Sequence, residues 1–251
     1  MPILVMAGNW KMNTTVAEAR SLAEAVADRV GSSTEVTTVL CPPFVSLTAV
    51  AEAVSGSSIT VGAQNIHPAA SGAFTGEISA PMLAEMCSHV IIGHSERRAL
   101  FSETDEFVNE KVLAAFESGL TPILCVGEQL DDREAGRADQ VVEAQVRGGL
   151  AGVESPGSLV VAYEPVWAIG AGRAATPETA QQIMTHIRSV LASIFGDEPA
   201  SGVPLPYGGS ANPGNIEGFM AQPDINGALV GGAALDADSF CQMVEIASQA
   251  G

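Results

Sequence analysis

Positive charge is scarce in this sequence. Only 11 of its 251 residues are basic, and just two of these, Lys11 and Lys111, are lysines; 29 acidic residues leave a formal net charge of −18. So few basic residues cannot cover a phosphodiester backbone, which excludes nucleic acid as a partner. The same balance excludes docking on an anionic membrane surface. Charge of either sign is thin too, at 16% of residues against roughly 25% in an ordinary globular chain. No stretch reaches the roughly 18 uninterrupted apolar residues of a membrane span. The opening Met1–Lys11 segment lacks the basic n-region and full apolar h-region of a signal peptide, and reads as a strand. Four cysteines (Cys41, Cys87, Cys125, Cys241) are scattered without a C-x-x-C pair, as expected for reduced structural thiols in a cytoplasmic protein. The four histidines (His67, His89, His94, His186) have no metal-ligand spacing, so no metal is expected.

What the chain does have is apolar residues, 47% of the total, enough for a large core. They fall in short, continuous, β-rich runs: Ile3–Ala7, Val36–Leu40, Ile59–Ala63, His89–Ile92, Thr121–Val126, Leu159–Tyr163, Pro204–Tyr207 and Gly227–Val230. Continuity rather than alternation is the mark of parallel strands buried on both faces. Between the runs lie amphipathic helix patterns. The clearest is Pro177–Phe195, with Thr176 as N-cap, Pro177 at the first helical position, and Ile183, Ile187, Val190, Leu191 and Ile194 on one stripe. Thr104–Ser118 is a second, stopped by Gly119. Others cover Thr14–Val30, Ser46–Val54, Ser79–Glu85, Arg137–Leu150, Ala237–Ser248, and Pro213–Met220 with Asn212 as N-cap.

Eight strand–helix units of about 31 residues fit one βα repeat each. No linker or shift of composition divides the chain. The pattern predicts an α/β fold in one domain over residues 1–251, a closed (β/α)8 barrel, with a doubly wound open sheet as the alternative.

In such a barrel, chemistry belongs at the C-terminal ends of the strands. There the sequence places Asn9 and Lys11 after the first strand, His94-Ser95-Glu96 after the fourth, Glu128 after the fifth and Glu164 after the sixth. Gly208-Gly209-Ser210 follows the seventh and Gly231-Gly232 the eighth. Glycine pairs in those two places let backbone N–H groups approach a phosphate closely. Each feature alone has a plainer reading: a turn, a structural histidine, a solvated carboxylate, a surface lysine. Gly170–Ala175 matches a G-x-G-x-x-A fingerprint but lacks the acidic residue about twenty positions on that a ribose needs, and reads as a loop. The functional reading rests on coincidence, since a Lys, a His, a carboxylate and two glycine pairs fall at one end of one barrel.

Six stretches then carry a family resemblance. They are Ala7–Asn13 (AGNWKMN), Gly72–Glu77 (GAFTGE), Ile92–Arg98 (IGHSERR), Ala162–Gly170 (AYEPVWAIG), Tyr207–Ser210 (YGGS) and Gly227–Ala233 (GALVGGA). Together they resemble the triosephosphate isomerases along the whole chain. The resemblance implies cofactor-free interconversion of dihydroxyacetone phosphate and D-glyceraldehyde 3-phosphate through an enediolate, a step of glycolysis and gluconeogenesis. It implies Glu164 as the base, His94 as a neutral imidazole on the carbonyl, Lys11 as fixed positive charge, and Asn9 as its polar neighbour. Glu96 would orient Lys11, and the phosphate would rest on Gly170, Ser210, Gly231 and Gly232. It also implies a homodimer in which the Gly72–Glu77 loop carries Thr75 to the partner's site.

The sequence departs from the family pattern in the Pro165–Ala175 segment, where Ala171 and Arg173 stand in place of threonine and lysine. Altered loop kinetics are the expected consequence. Two other classes compete. An aldolase-type lyase needs a Schiff-base lysine on a strand, and Lys11 lies after a strand while Lys111 sits on a predicted helix; a sugar-phosphate epimerase is the neighbouring enzyme class. A non-catalytic barrel would have lost Lys11, His94 or Glu164, and all three are present.

Overall fold

The computed structural model describes residues 3–169 and 175–250. Seven strands carry the ladders: β1 (Leu4–Asn9), β2 (Val36–Cys41), β3 (Thr60–Ala63), β4 (His89–Ile92), β5 (Thr121–Val126), β6 (Val160–Tyr163) and β7 (Gly227–Val230). All pair in parallel, in the order β6-β5-β4-β3-β2-β1-β7. Eleven α-helices lie among the described residues. Before β4 come α1 (Val16–Val30), α2 (Leu47–Ala53) and α3 (Ala80–Ala84); α4 (Ser95–Leu100) and α5 (Asp105–Glu117) follow it. After β5 come α6 (Leu130–Glu134) and α7 (Ala138–Gly149), and after β6 come α8 (Pro177–Phe195), α9 (Asp197–Ser201) and α10 (Ile216–Met220). The last, α11 (Ala237–Ser248), follows β7.

The predicted strand Pro204–Tyr207 is the main correction. It makes only isolated bridges, from Tyr207 to Tyr163 and to Ala228. The reason is chemical. On its β6 side the segment offers the carbonyls of Pro204 and Pro206, which accept from Val161 and Tyr163, but neither proline has an N–H to return. On its β7 side it is bonded normally, with Leu205 and Tyr207 carbonyls accepting from Asn226 and Leu229, and Tyr207 N donating to Gly227 O. Half a ladder therefore closes a barrel of seven full strands.

Alternation along the strands sorts the core into two parts. Val5, Ala7, Val39, Cys41, Ile91, Ile123, Cys125, Val160, Ala162 and Leu229 form one buried cluster, the filling of the barrel. Their neighbours Met6, Leu40, Val90, Ile92, Leu124, Val161 and Val230 belong to a second cluster shared with the helices. Both faces are buried, which is why the runs are continuous in sequence. Toward the C-terminal ends the filling includes the small side chains of Ala7, Cys41, Cys125 and Ala162, above which the barrel opens into a cavity.

The helices start where their caps say. Thr15 and Glu18 form a reciprocal capping box on α1. Thr176 Oγ1 accepts from Thr179 N at 3.2 Å at the start of α8, whose buried stripe contains Ile183, Ile187, Val190 and Leu191, with Ile194 half-buried. One cap is misplaced by the sequence: α10 begins after Asn215 rather than Asn212. Asn212 instead accepts from Gly214 N through its side chain, forming a turn that spends Pro213 and Gly214 before the helix begins. All four cysteines are free and buried. No helix among the described residues is long and apolar enough to cross a membrane.

Candidate active site

Asn9 ends β1, and its side-chain oxygen accepts from Lys11 N at 3.0 Å. Lys11 has φ of +53°, a left-handed conformation costing a non-glycine residue about 1–2 kcal/mol. Gln64 also holds it, donating from Nε2 to Lys11 O at 2.9 Å. These bonds turn the side chain inward, where Nζ lies 2.6 Å from Glu96 Oε1. Lys11 thus points a cation at the open end of the barrel.

His94 follows β4 and caps α4, its Nδ1 accepting from Glu96 N at 3.2 Å. That bond requires a lone pair on Nδ1, so the neutral ring carries its proton on Nε2. Nε2 lies 3.0 Å from Glu164 Oε1. Burial works against a charged ring, and Glu164 outweighs it, raising the proton affinity of His94. The Glu96 N–H at Nδ1 fixes the ring so that Nε2–H faces Glu164.

Glu164 is the first residue beyond β6 and is almost wholly buried. Its N–H donates to Val126 O at 2.8 Å, and a Cβ on Gly127 would lie 1.7 Å from its carbonyl oxygen. Only glycine lets β5 and the Glu164 backbone come so close. The carboxylate is fully engaged: Oε2 accepts from Ser95 N at 2.9 Å, while Oε1 accepts from Ser95 Oγ at 3.3 Å and His94 Nε2 at 3.0 Å. Burial pushes its pKa up, but His94, the Ser95 N–H and Lys11 outweigh burial and hold it below the usual carboxylate range.

Asn9, Lys11, His94, Glu96, Glu164, Ser210, Gly231 and Gly232 all line one cavity of about 470 Å3. The two glycines after β7 are informative by what surrounds them. A Cβ on Gly231 would meet only the Lys11 side chain, at an ordinary 3.5 Å, and one on Gly232 would meet nothing within 4 Å. Protein packing does not demand glycine there, and both residues leave their backbone open to the cavity. Thr75 stands apart, exposed on the Gly72–Glu77 loop, where Phe74 lies on the His67 ring at 4.1 Å between centroids. Gly170, together with Ala171 and Arg173, lies outside the described residues.

Two features escaped sequence reasoning. Ser95 holds both carboxylate oxygens; the only sign of it was its place next to His94 at a helix start. Glu128 is a fully buried carboxylate, accepting from Tyr163 Oη at 3.1 Å, Trp167 Nε1 at 2.8 Å and Arg133 at 3.0 Å. It anchors the segment that follows Glu164, and a lone glutamate past a strand carries no mark of that.

The arrangement combines a buried carboxylate, an imidazole N–H donor and a cation around a cavity with two unhindered glycines. It suits proton removal beside a carbonyl on a small anionic substrate. The sequence model of the family described as triosephosphate isomerase matches residues 4–247. The triosephosphate isomerase of Chloroflexus aurantiacus is 51% identical over 247 residues, 97% of this chain and 99% of that protein. That of Moorella thermoacetica is 52% identical over 243 residues, 96% and 97% of the two chains. That of Rhodopirellula baltica is 47% identical over 250 residues, 98% of each. The similarity runs over nearly the full length, and the chain belongs to the triosephosphate isomerase family.

Proposed function

We propose that the protein interconverts dihydroxyacetone phosphate and D-glyceraldehyde 3-phosphate, with Glu164 as the base. The observation that carries this reading is the 3.0 Å contact between a buried Glu164 and His94 Nε2 at the wall of the cavity that Lys11 enters. Glu164 takes a proton from the carbon beside the carbonyl and returns it to the neighbouring carbon. His94 donates from Nε2 to the carbonyl oxygen and passes a proton between the two oxygens of the enediolate. Lys11, oriented by Glu96, faces the developing oxyanion with Asn9 beside it. Ser210 and the N–H groups of Gly231 and Gly232 receive the phosphate, with Gly170 as a fourth contact.

The resting geometry also suggests how the base is switched on. Ser95 and His94 keep the Glu164 pKa low. A substrate that draws the carboxylate away from both leaves only Lys11 opposing burial, and burial raises proton affinity. The base strengthens at the moment it meets its carbon acid. General base catalysis of this kind contributes roughly 10²–10⁴-fold. Replacing Glu164 by Gln therefore lowers kcat by about 10²-fold or more with the far-ultraviolet circular dichroism unchanged. A folded Glu164→Gln protein with near-normal kcat removes Glu164 from the role.

The quaternary reading is a homodimer. Met12, Phe44, Leu100 and Phe101 are exposed apolar side chains, Met12 to 95%. A groove of about 770 Å3 runs between them and shares Asn9, Lys11, His94 and Glu96 with the catalytic cavity. The Gly72–Glu77 loop of a second copy, with Thr75 at its tip, is the occupant proposed for this groove. Sedimentation at micromolar concentration gives a dimer, and Leu100→Asp shifts it toward monomer with loss of activity. A fully active wild-type monomer contradicts the reading.

A further inference from the structure

Glu164 has a second side. Behind it, away from the catalytic cavity, lies a separate cavity of about 180 Å3 reaching the surface beside the exposed residues Ala99 and Gln129. At about 30 Å3 of liquid per molecule, a polar space of this size holds several waters. Glu164 lines both cavities, whereas His94 lines only the front one and Ser95 only the rear one.

The polar groups of the rear cavity are not equivalent. Arg98 is engaged by Gly93 O and Asp105, and Gln145 by the backbone of Gly127. The Cys125 thiol is kept protonated by burial. Ser95 Oγ differs. It donates to Glu164 Oε1 at 3.3 Å, and its oxygen can still accept from a water in the cavity. Ser95 thus stands between the carboxylate and the water.

We infer that the rear cavity is a proton-exchange port for Glu164, through which Ser95 trades the hydrogen taken from substrate for one from solvent. The inference rests on the reading of Glu164 as the base. When the protonated side chain returns to Ser95 before giving its hydrogen back, the acid O–H passes a proton to Ser95 Oγ. Ser95 passes its own hydroxyl proton to a cavity water, leaving carboxylate and hydronium. The reverse transfer delivers a solvent hydrogen to Glu164. No net charge moves over the cycle, and one hydrogen replaces another.

The experiment turns over dihydroxyacetone phosphate in D2O, traps the aldehyde with a coupled dehydrogenase, and reads deuterium at the carbon that receives the hydrogen. Val141→Phe fills the rear cavity from α7, away from the catalytic one. The expected result is at least a threefold fall in deuterium incorporation with kcat/KM within twofold of wild type. Ala99→Met covers the exposed mouth without entering the core, gives the same direction, and decides the matter if Val141→Phe does not fold. Ser95→Ala keeps the backbone N–H on Oε2 but lacks the relay hydroxyl, and also lowers incorporation. Unchanged incorporation in an active rear-cavity variant overturns the port and leaves the base intact. Absence of isomerisation by the wild type overturns the base and the port together.

Discussion

Lys11 shows how much of a functional residue is visible before the structure. Its type and its position after the first strand were legible, because the barrel pattern says where chemistry sits. Its left-handed backbone and the bonds from Asn9 and Gln64 were not, because Gln64 approaches from another strand end. Ser95 and Glu128 were hidden for the same reason, since their roles are made by contacts that no local spacing encodes. His89 is a useful contrast, a histidine without a place in the site. It begins β4, buried, with Nδ1 2.8 Å from Ser88 Oγ and 3.4 Å from Thr60 Oγ1, and burial depresses its pKa to about 4. The unfolded chain, with a histidine near pKa 6.5, binds a proton between pH 6.5 and 4 that the folded chain refuses. Its contribution to stability is therefore complete above pH 6.5 and is lost as pH falls toward 4, by roughly 3 kcal/mol in all. In urea denaturation followed by fluorescence, the wild type loses stability over that window and His89→Asn has a shallower dependence. Parallel curves for the two proteins would show that His89 does not titrate differently on folding.

Among the elements, long ones with caps were legible and short ones were not. The start of α8 followed from Thr176 and Pro177, since a side-chain acceptor and a residue without an N–H both suit the first turn. Six residues of α4, five of α6 and five of α9 are too few for an apolar stripe to show in sequence. The weak eighth strand is the instructive case. Pro204-Leu205-Pro206-Tyr207 has strand-like apolarity, yet its prolines remove every second donor, a consequence that hydrophobic pattern alone does not register. The same segment lies next to Gly208, whose N–H donates to Tyr163 O just before Glu164, so the ladder is completed where the site needs it. The cap on α8 gives the prediction at this scale. Thr176→Ala removes the acceptor for Thr179 N and lowers stability by about 1 kcal/mol, read as a lower urea midpoint at unchanged slope. An unchanged midpoint would mean that water or another group caps the helix equally well.

For the whole molecule, the scarcity of positive charge becomes a constraint on the mechanism. A net charge of −18 repels a phosphorylated substrate at long range, so capture depends on local positive potential. In the proposed mechanism it comes from Lys11 and from the backbone around Gly231 and Gly232, all of which line the cavity. The low overall charge fits the architecture, since strands buried on both faces use apolar residues throughout. A (β/α)8 barrel hosts many reactions, and what selects isomerisation here is the set of groups at one end. That assignment is tested most directly by adding the purified protein to dihydroxyacetone phosphate, with no cofactor for the isomerase itself and with a metal chelator present, and following aldehyde formation through a coupled dehydrogenase. The account predicts sustained, protein-dependent aldehyde formation. No aldehyde above the uncatalysed rate, from protein that is folded, would contradict it.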